Sequence, residues 1–240
     1  MSPDIRKHRG AHPEDKKLFA AEQLPVLRSA VSELSWLLTR GYSPKGALKL
    51  VGDRYTLTDR QRLAVARAAC SDQSRARRLH SLVSAAAVAD GELIVDGFNL
   101  IITVEAALSG GVLLVCRDHC IRDLSSVHGS YRAVNETSRA IGLIGEVLAT
   151  LGPKSVAWLL DRPISNSGRL ANRIRQFARE RDWNWIVEVA FNPDAEMAAS
   201  DRIVISSDSH VLDQVQRWLN LNRFLLEKVL AECWLIDLSC

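Results

Sequence analysis

At Gly91 the rhythm of this sequence changes, and the change decides which architectures are open to it. Downstream of it, short apolar runs recur at residues 93–95, 112–116, 156–160, 185–189, 203–205 and 234–236. Between them lie turns and stretches with helical spacing, near residues 101–109, 136–151, 168–182 and 209–229. Apolar runs this short, bounded by turn residues, read as buried strands and not as helices. Strands alternating with helices predict an α/β domain with a mostly parallel sheet flanked by helices on both faces. In such sheets ligands collect at the carboxyl ends of the strands, near the point where strand order reverses. The polar residues that directly succeed the apolar runs are therefore where chemistry is expected.

Residues 1–90 read differently. Leu27, Ala30, Val31, Leu34, Leu37 and Leu38 recur at three- and four-residue steps, the stripe of an amphipathic helix. Gly41 offers its stop, and Ser43-Pro44 is an N-cap and first-turn pair for a second helix. Thr58 with Gln61 fits a capping box opening a third helix that runs to about Cys70. Asp72 can cap a fourth, with Leu79, Leu82, Val83 and Ala86 as its apolar positions, and Asp90-Gly91 closes the segment. No long Pro/Gly/Ser linker comes after it, so a small all-α module over 1–90 is expected to pack closely against the α/β domain over 91–240. Charge divides at the same place. Residues 1–89 carry 16 Lys and Arg against 8 Asp and Glu, whereas residues 90–240 carry 15 against 20. A basic module joined to an acidic one is the balance expected of a polyanion-gripping arm beside a metal pocket. A helical surface rich in Arg for solubility alone gives the same count.

The strand-end test selects acids. Asp96 ends the first run, in Val95-Asp96-Gly97-Phe98-Asn99, and Asp161 ends the third, in Leu160-Asp161-Arg162-Pro163. Asp194 comes after the fourth in Asn192-Pro193-Asp194, and Asp208 after the fifth in Ser206-Ser207-Asp208. Taken singly, each reads equally well as a turn residue or helix N-cap. Taken together, four carboxylates delivered to one sheet edge repel unless a cation or proton offsets them. Hard cations such as Mg²⁺ or Mn²⁺ take oxygen ligands of this kind, and an acidic set can hold two ions that activate a water and stabilise a leaving oxygen.

Other residues qualify as substrate contacts. Ser165, Asn166, Ser167 and Gly168 open a helix after Asp161, and free amides at a helix start form a natural phosphate site. Arg162, Arg169 and Arg173 add positive charge there; a capped helix with an exposed basic face explains them as well. Arg122, Asp123, His128 and Tyr131 make a second polar cluster, in which His128 could serve as acid, base or phosphate contact. There is no Gly-x-x-x-x-Gly-Lys-Ser/Thr loop, no Gly-x-Gly-x-x-Gly after the first strand and no Gly-x-Ser-x-Gly elbow. Nucleotide-driven, dinucleotide-dependent and serine-hydrolase chemistries lose ground accordingly. The five cysteines (Cys70, Cys116, Cys120, Cys233, Cys240) are odd in number and scattered, unlike a disulfide framework. Cys116, His119 and Cys120 lie close in sequence, but no second Cys/His pair succeeds them at zinc spacing, so they are read as reduced packing residues. No apolar run approaches the roughly 20 residues that cross a bilayer, and the charged first residues lack a signal-peptide core. A cytoplasmic location is the expectation.

Val95-Asp96-Gly97-Phe98-Asn99-Leu100 resembles the opening strand and turn of PIN-like and NYN-type ribonucleases, in which the Asp is a metal ligand and the Asn its neighbour. Ser206-Ser207-Asp208-Ser209 resembles the late serine–aspartate motif of the same superfamily. The chain as a whole resembles the family catalogued as domain of unknown function 434. The phrases that carry this are Arg40-Gly41-Tyr42-Ser43, Leu50-Val51-Gly52-Asp53-Arg54, Arg122-Asp123-Leu124, Asp161-Arg162-Pro163-Ile164-Ser165-Asn166-Ser167-Gly168 and Asn192-Pro193-Asp194. The resemblance implies a PIN-like domain and a metal-dependent nuclease, first of all an endoribonuclease. Asp96, Asp161 and Asp208 would be core ligands of Mg²⁺ or Mn²⁺ with Asp194 beside them, and Asn99 would orient water or phosphate. Arg162, Ser165–Ser167, Arg122, His128, Ser206 and Ser207 would face an RNA substrate. Ser209 stands where many NYN-type enzymes place another Asp, so Glu105 or Asp201 would have to compensate. The alternative is a catalytically silent nucleic-acid-binding protein whose residues 43–70, with Arg60, Gln61, Arg62 and Arg67, form a helix-turn-helix-like reader. A phosphatase acting on a small ester is a third reading.

Overall fold

A computed structural model describes residues 8–125, 129–229 and 233–239. The N-terminal region is helical: α1 (Asp15–Leu18), α2 (Leu24–Thr39), α3 (Pro44–Arg54), α4 (Asp59–Ala68) and α5 (Asp72–Ser81). Its boundaries are set by local capping chemistry. The Ser43 hydroxyl accepts from the Gly46 amide, and both halves of the Thr58–Gln61 capping box form. One cap differs from expectation. Ser71 caps α5 through the Ser74 amide, and Asp72 is the first helical residue. The buried face of α5 differs too: the helix ends before Leu82, Leu79 and Leu82 are exposed, and Arg78 and Ser81 point inward.

The α/β region contains β1 (Glu92–Asp96), α6 (Gly97–Leu108), β2 (Leu113–Val115), β3 (Ile121–Asp123), α7 (Thr137–Leu151) and β4 (Ser155–Asp161). It continues with α8 (Ser167–Glu180), β5 (Trp185–Ala190), α9 (Pro193–Ala198), β6 (Ile203–Ile205), α10 (Ser209–Leu212), α11 (Leu221–Val229) and β7 (Leu235–Asp237). Four strands form a wholly parallel sheet in the order β5-β4-β1-β6. The chain proceeds from β1 outward through β4 to β5, then returns to place β6 on the other side of β1, so strand order reverses between β1 and β6. Side chains alternate across this sheet as the pleat requires. Leu93 and Val95 of β1, with Val156, Trp158 and Leu160 of β4, join the core beneath α6, α7 and α8. Ile94, Ala157, Leu159 and Val204 join a smaller core with Met197 and Trp218 on the opposite face. Burial on both faces is why these strands read as unbroken apolar runs.

Two expectations are corrected. Strands β2, β3 and β7 form a separate three-stranded sheet, with β3 antiparallel and β7 parallel to β2. The predicted helix over 209–229 is broken, because residues 217–219 run extended beside β6. The Val204 amide donates to the Arg217 carbonyl and the Leu219 amide to the Val204 carbonyl, which seats the indole of Trp218 in the core. The small sheet also joins the two regions. Val112, Leu114, Leu124, Ile236 and Leu238 share one core with Leu27, Val31, Ala47, Val65 and Ala68 of the helices. The helical region is thus one wall of a common structure. Among the described residues no helix is long and apolar enough to cross a membrane.

Candidate functional site

The four strand-end acids stand at the carboxyl edge of one parallel sheet. Asp96 ends β1 and caps α6, accepting from the Asn99 amide (3.3 Å). Gly97 is required directly after it, because a Cβ there would lie 2.9 Å from the Leu159 carbonyl oxygen of β4. Across the point of strand reversal, the Ser206 hydroxyl donates to Asp96 Oδ2 (2.8 Å) and accepts from the Asp208 amide (3.0 Å). Asn99 Oδ1 accepts from both the amide (2.9 Å) and the hydroxyl (2.8 Å) of Ser207. Asp208 in turn caps α10 through the His210 amide (2.7 Å). Asp161 ends β4, and Asp194 occupies the first turn of α9, which Asn192 caps through the Ala195 amide (3.2 Å).

Electrostatics ties these acids together. Burial pushes the Asp96 carboxyl up to about 7; the Ser206 and Asn99 donors oppose the rise, and the charges of Asp208 and Asp194 add to it. Asp161 is raised by burial and then by Asp194. Asp194 is raised by burial and then by Asp208, with His210 pulling the other way. The charge of Asp194 thus bears on Asp96 and Asp161, and Asp194 itself feels Asp208. His210, two residues after Asp208, is a neighbour that the strand-end test passed over because it lies inside the next helix. Mutual repulsion of this kind is relieved by a proton or a cation. The oxygens left over at this edge are carboxylate oxygens, which suit a hard cation. The spacing is looser than a ligand cage: among the described residues no three His, Cys, Asp or Glu side chains are gathered closely enough to hold one metal ion.

Three residues expected to face substrate instead hold the site in place. Ser206 and Ser207 are buried and direct their hydroxyls to Asp96 and Asn99. Arg122 is also buried: its Nε donates to the Ser207 carbonyl (2.7 Å), and its terminal nitrogens grip Asp118 at 2.8 and 2.7 Å. Asp118 also accepts from Arg78 of α5 (2.7 Å), and Arg78 donates to the Ser209 carbonyl (3.1 Å) and to Asp213 (2.8 Å). The backbone on either side of Asp208 is thus clamped by two arginines that share one carboxylate. Burial pushes Asp118 upward, but Arg122 and Arg78 outweigh it and hold the carboxyl well below the usual carboxylate range. Sequence reasoning missed Arg78, Asp118 and Asp213 because nothing local couples residues so far apart. Beside the clamp is a cleft of about 260 Å³, lined by Arg67, Asn99, Ile102, Asp123, Ser207 and Asp208 among others.

The remaining candidates separate clearly. The amides of Ser165 and Ser167 are taken by the carbonyls of Gly129 and Ile164, so the expected phosphate cradle is mostly closed. Asn166 adopts a left-handed conformation (φ +69°) and donates its side chain to the Tyr131 carbonyl. Arg169 and Arg173 of α8 do line a second cleft of about 260 Å³ with Tyr131–Ala133. Glu105 cannot compensate for a missing ligand, since it is fully buried and accepts from Arg9, Tyr131 and Thr137. Asp201 cannot either, because it precedes β6 and so lies at the opposite edge of the sheet. Cys116 and Cys120 are buried thiols whose ionisation burial disfavours. His128 lies outside the described residues. The would-be reading helix α4 faces the protein: Arg60 pairs with Asp15, Gln61 is buried, Arg62 pairs with Asp53, and Arg67 donates to the carbonyls of Asp123 and Ser125. That leaves none of the four free to enter a groove.

Comparison with known proteins places this architecture in a family. The chain belongs to the family described as "Domain of unknown function (DUF5616)", whose model matches residues 85–224. The preceding residues 26–80 match the family described as "Protein of unknown function (DUF434)". The join falls between α5 and β1, where the sequence changes rhythm. Among curated proteins, the chain is 29% identical over 197 residues to "Uncharacterized protein MJ0935" of Methanocaldococcus jannaschii, covering 79% of this chain and 94% of that protein. No solved structure matches.

Proposed function

We propose that this protein is a PIN-like, metal-dependent nuclease that hydrolyses phosphodiester bonds in nucleic acid, with RNA the expected substrate. The observation that carries the reading is the set Asp96, Asp161, Asp194 and Asp208 at one carboxyl edge, with three of the four raised in part by the charge of their neighbours. Asp96 and Asp208 flank the point of strand reversal, where open α/β sheets bind their ligands. Asp96, Asp161, Asp194 and Asp208 would hold Mg²⁺ or Mn²⁺ by one or two carboxylates at a time, with water and substrate phosphate completing the shell, since no three of them close on one ion. Such a cation supplies charge for a water nucleophile and for the phosphate under attack. The chain's own work is positional. Ser206 and Asn99 aim the carboxylates, and the arginine clamp fixes the Asp208 turn. The side-chain amide nitrogen of Asn99, unpartnered among the described residues, is a donor for a phosphate oxygen. Arg162, exposed beside Asp161, supplies positive charge for the substrate backbone.

The test is cleavage of labelled single-stranded and structured RNA by purified protein with Mn²⁺ or Mg²⁺, beside Asp96→Asn. Metal-dependent cutting that the substitution abolishes is the expected result. The loose spacing of the acids favours a second reading, binding without cleavage. Protein that binds RNA but leaves it intact under all these conditions would shift the assignment there.

A further inference from the structure

Among the described residues the most exposed large apolar side chain is Phe191, 72% accessible. It comes directly after the last residue of β5 and stands three positions before Asp194, so it lies on the acid-bearing edge of the sheet. Arg162, the residue after Asp161, lays its guanidinium over the phenyl ring, 4.3 Å from the centroid. The two turns are tied together, because the Arg162 amide donates to the Ala190 carbonyl (2.7 Å). Arg162 forms no ion pair among the described residues, and Phe191 belongs to none of the hydrophobic cores. Among the described residues, then, the partner seen for each of these two side chains is the other.

We propose that Phe191 and Arg162 form a stacking platform for an unpaired nucleobase, the strand's backbone crossing the neighbouring acid edge. The inference rests on the nucleic-acid reading above and narrows its substrate to single strands. An aromatic face and a guanidinium plane both stack on bases with little regard to sequence, because every base has a π-face. A base inside a duplex has both faces covered by its neighbours, so the platform discriminates against paired substrate. The charge of Arg162 suits the phosphate beside that base, and the tie to Ala190 holds the pair in place before the strand arrives.

The experiment is fluorescence anisotropy of the full chain with chelator present, so that binding is read without cleavage. The probes are a labelled RNA single strand of about 12 nucleotides, within the range such sites cover, its duplex, and an abasic strand of equal length. Wild type is expected to prefer the single strand to both other probes. Phe191→Leu is expected to weaken single-strand binding about tenfold, within the range that loss of one stacked base produces, and to leave the abasic strand unchanged. Phe191→Trp restores it. Both substitutions are at an exposed position and preserve the fold, which circular dichroism checks. Equal affinity of wild type and Phe191→Leu overturns the platform, as does a loss shared by the abasic strand or no binding to any probe. The two proposals fail separately. Metal-dependent cleavage lost in Asp96→Asn, with Phe191→Leu binding unchanged, removes the platform and keeps the nuclease. Stacking-dependent binding without cleavage does the reverse.

Discussion

Asp96 and Asp118 are both enclosed carboxylates, and their surroundings drive them in opposite directions. Asp118 receives two guanidinium groups and is held ionised; Asp96 receives a hydroxyl and an amide, and burial with two neighbouring acids pushes it to about 7. The contrast teaches how to separate structural from functional acids here. A carboxylate whose lone pairs are met by Arg78 and Arg122 has its charge offset within the fold. One facing only other carboxylates and weak donors leaves its charge for something else to offset. Glu105, met by Arg9, Tyr131 and Thr137, belongs with Asp118. Asp161 and Asp194 belong with Asp96.

The contrast is broken most forcefully at Asp118. Removing one member of a buried ion pair strands its partners, at a cost of about 3–5 kcal/mol. Asp118→Ala, which leaves two buried arginines facing each other, is expected to lose about that much in denaturant unfolding. The sign with pH is set by its depressed value. Stability from Asp118 is fully present above the ordinary carboxylate value of 3.8 and is lost only as pH falls through its lower folded value. The Asp118→Ala penalty should therefore be constant through neutral pH and shrink only in strong acid. A loss below about 1 kcal/mol, the size of a surface pair, would show that the clamp is not the anchor described.

The acid edge was legible in the sequence and the clamp was not, for a physical reason. Asp96, Asp161, Asp194 and Asp208 are visible because parallel strands buried on both faces make apolar runs that end abruptly, and the polar residues closing each run must sit at the sheet edge. The capping pairs Ser43-Pro44 and Thr58–Gln61 are visible because their geometry is complete within four residues. Strand β3 was hidden, since Ile121-Arg122-Asp123 carries two charges and pairs only because Asp118 and Thr103 meet them. Residues 213–220 read as helix from their spacing, and only the distant bridge to Val204 pulls Trp218 extended. Phe191 lies two residues past the apolar run at 185–189, and nothing in its sequence neighbourhood marks it as exposed. Arg78 and Asp118 are 40 residues apart, and no periodicity reports a contact across that separation.

A second break of the contrast uses Asp96 itself. Its folded value, about 7, stands above its ordinary 3.8, so its contribution to stability is present at low pH and is lost as pH rises through 7. Asp96→Asn removes that loss. In metal-free protein the variant is expected to be more stable than wild type at about pH 8, by at most about 4 kcal/mol for a shift of this size. The advantage should fade as pH approaches 4. The same substitution is expected to abolish cleavage, so stability and activity should move in opposite directions. Denaturant midpoints measured across this range with chelator check it; a pH-independent difference would remove the claim that Asp96 carries an unoffset charge.

Arg122→Lys sharpens the division more gently. A lysine keeps the charge opposite Asp118 but cannot hold Asp118 in two-point contact and the Ser207 carbonyl at once. The expected loss is about 1–2 kcal/mol, the scale of one or two hydrogen bonds, read as a lower unfolding midpoint. Cleavage should fall with it, because the turn bearing Asp208 loosens. A variant that unfolds earlier but cuts normally would mean that the clamp supports the fold without aiming the site.

The smallest expected change in stability is the most discriminating. Asp161 is half-buried, is raised by burial and then by Asp194, and is opposed only by its own backbone amide. Replacing it by Asn removes repulsion and keeps an acceptor for that amide, so the change should stay within about 0.5 kcal/mol, with the sign toward stabilisation as pH rises above the ordinary carboxylate value of 3.8. If the acid edge exists for chemistry, this nearly silent substitution should still depress metal-dependent cleavage sharply, because the charge it removes is one that the fold leaves unmatched. Equal cleavage by wild type and Asp161→Asn would instead place Asp161 outside the working set and leave Asp96, Asp194 and Asp208 as its members.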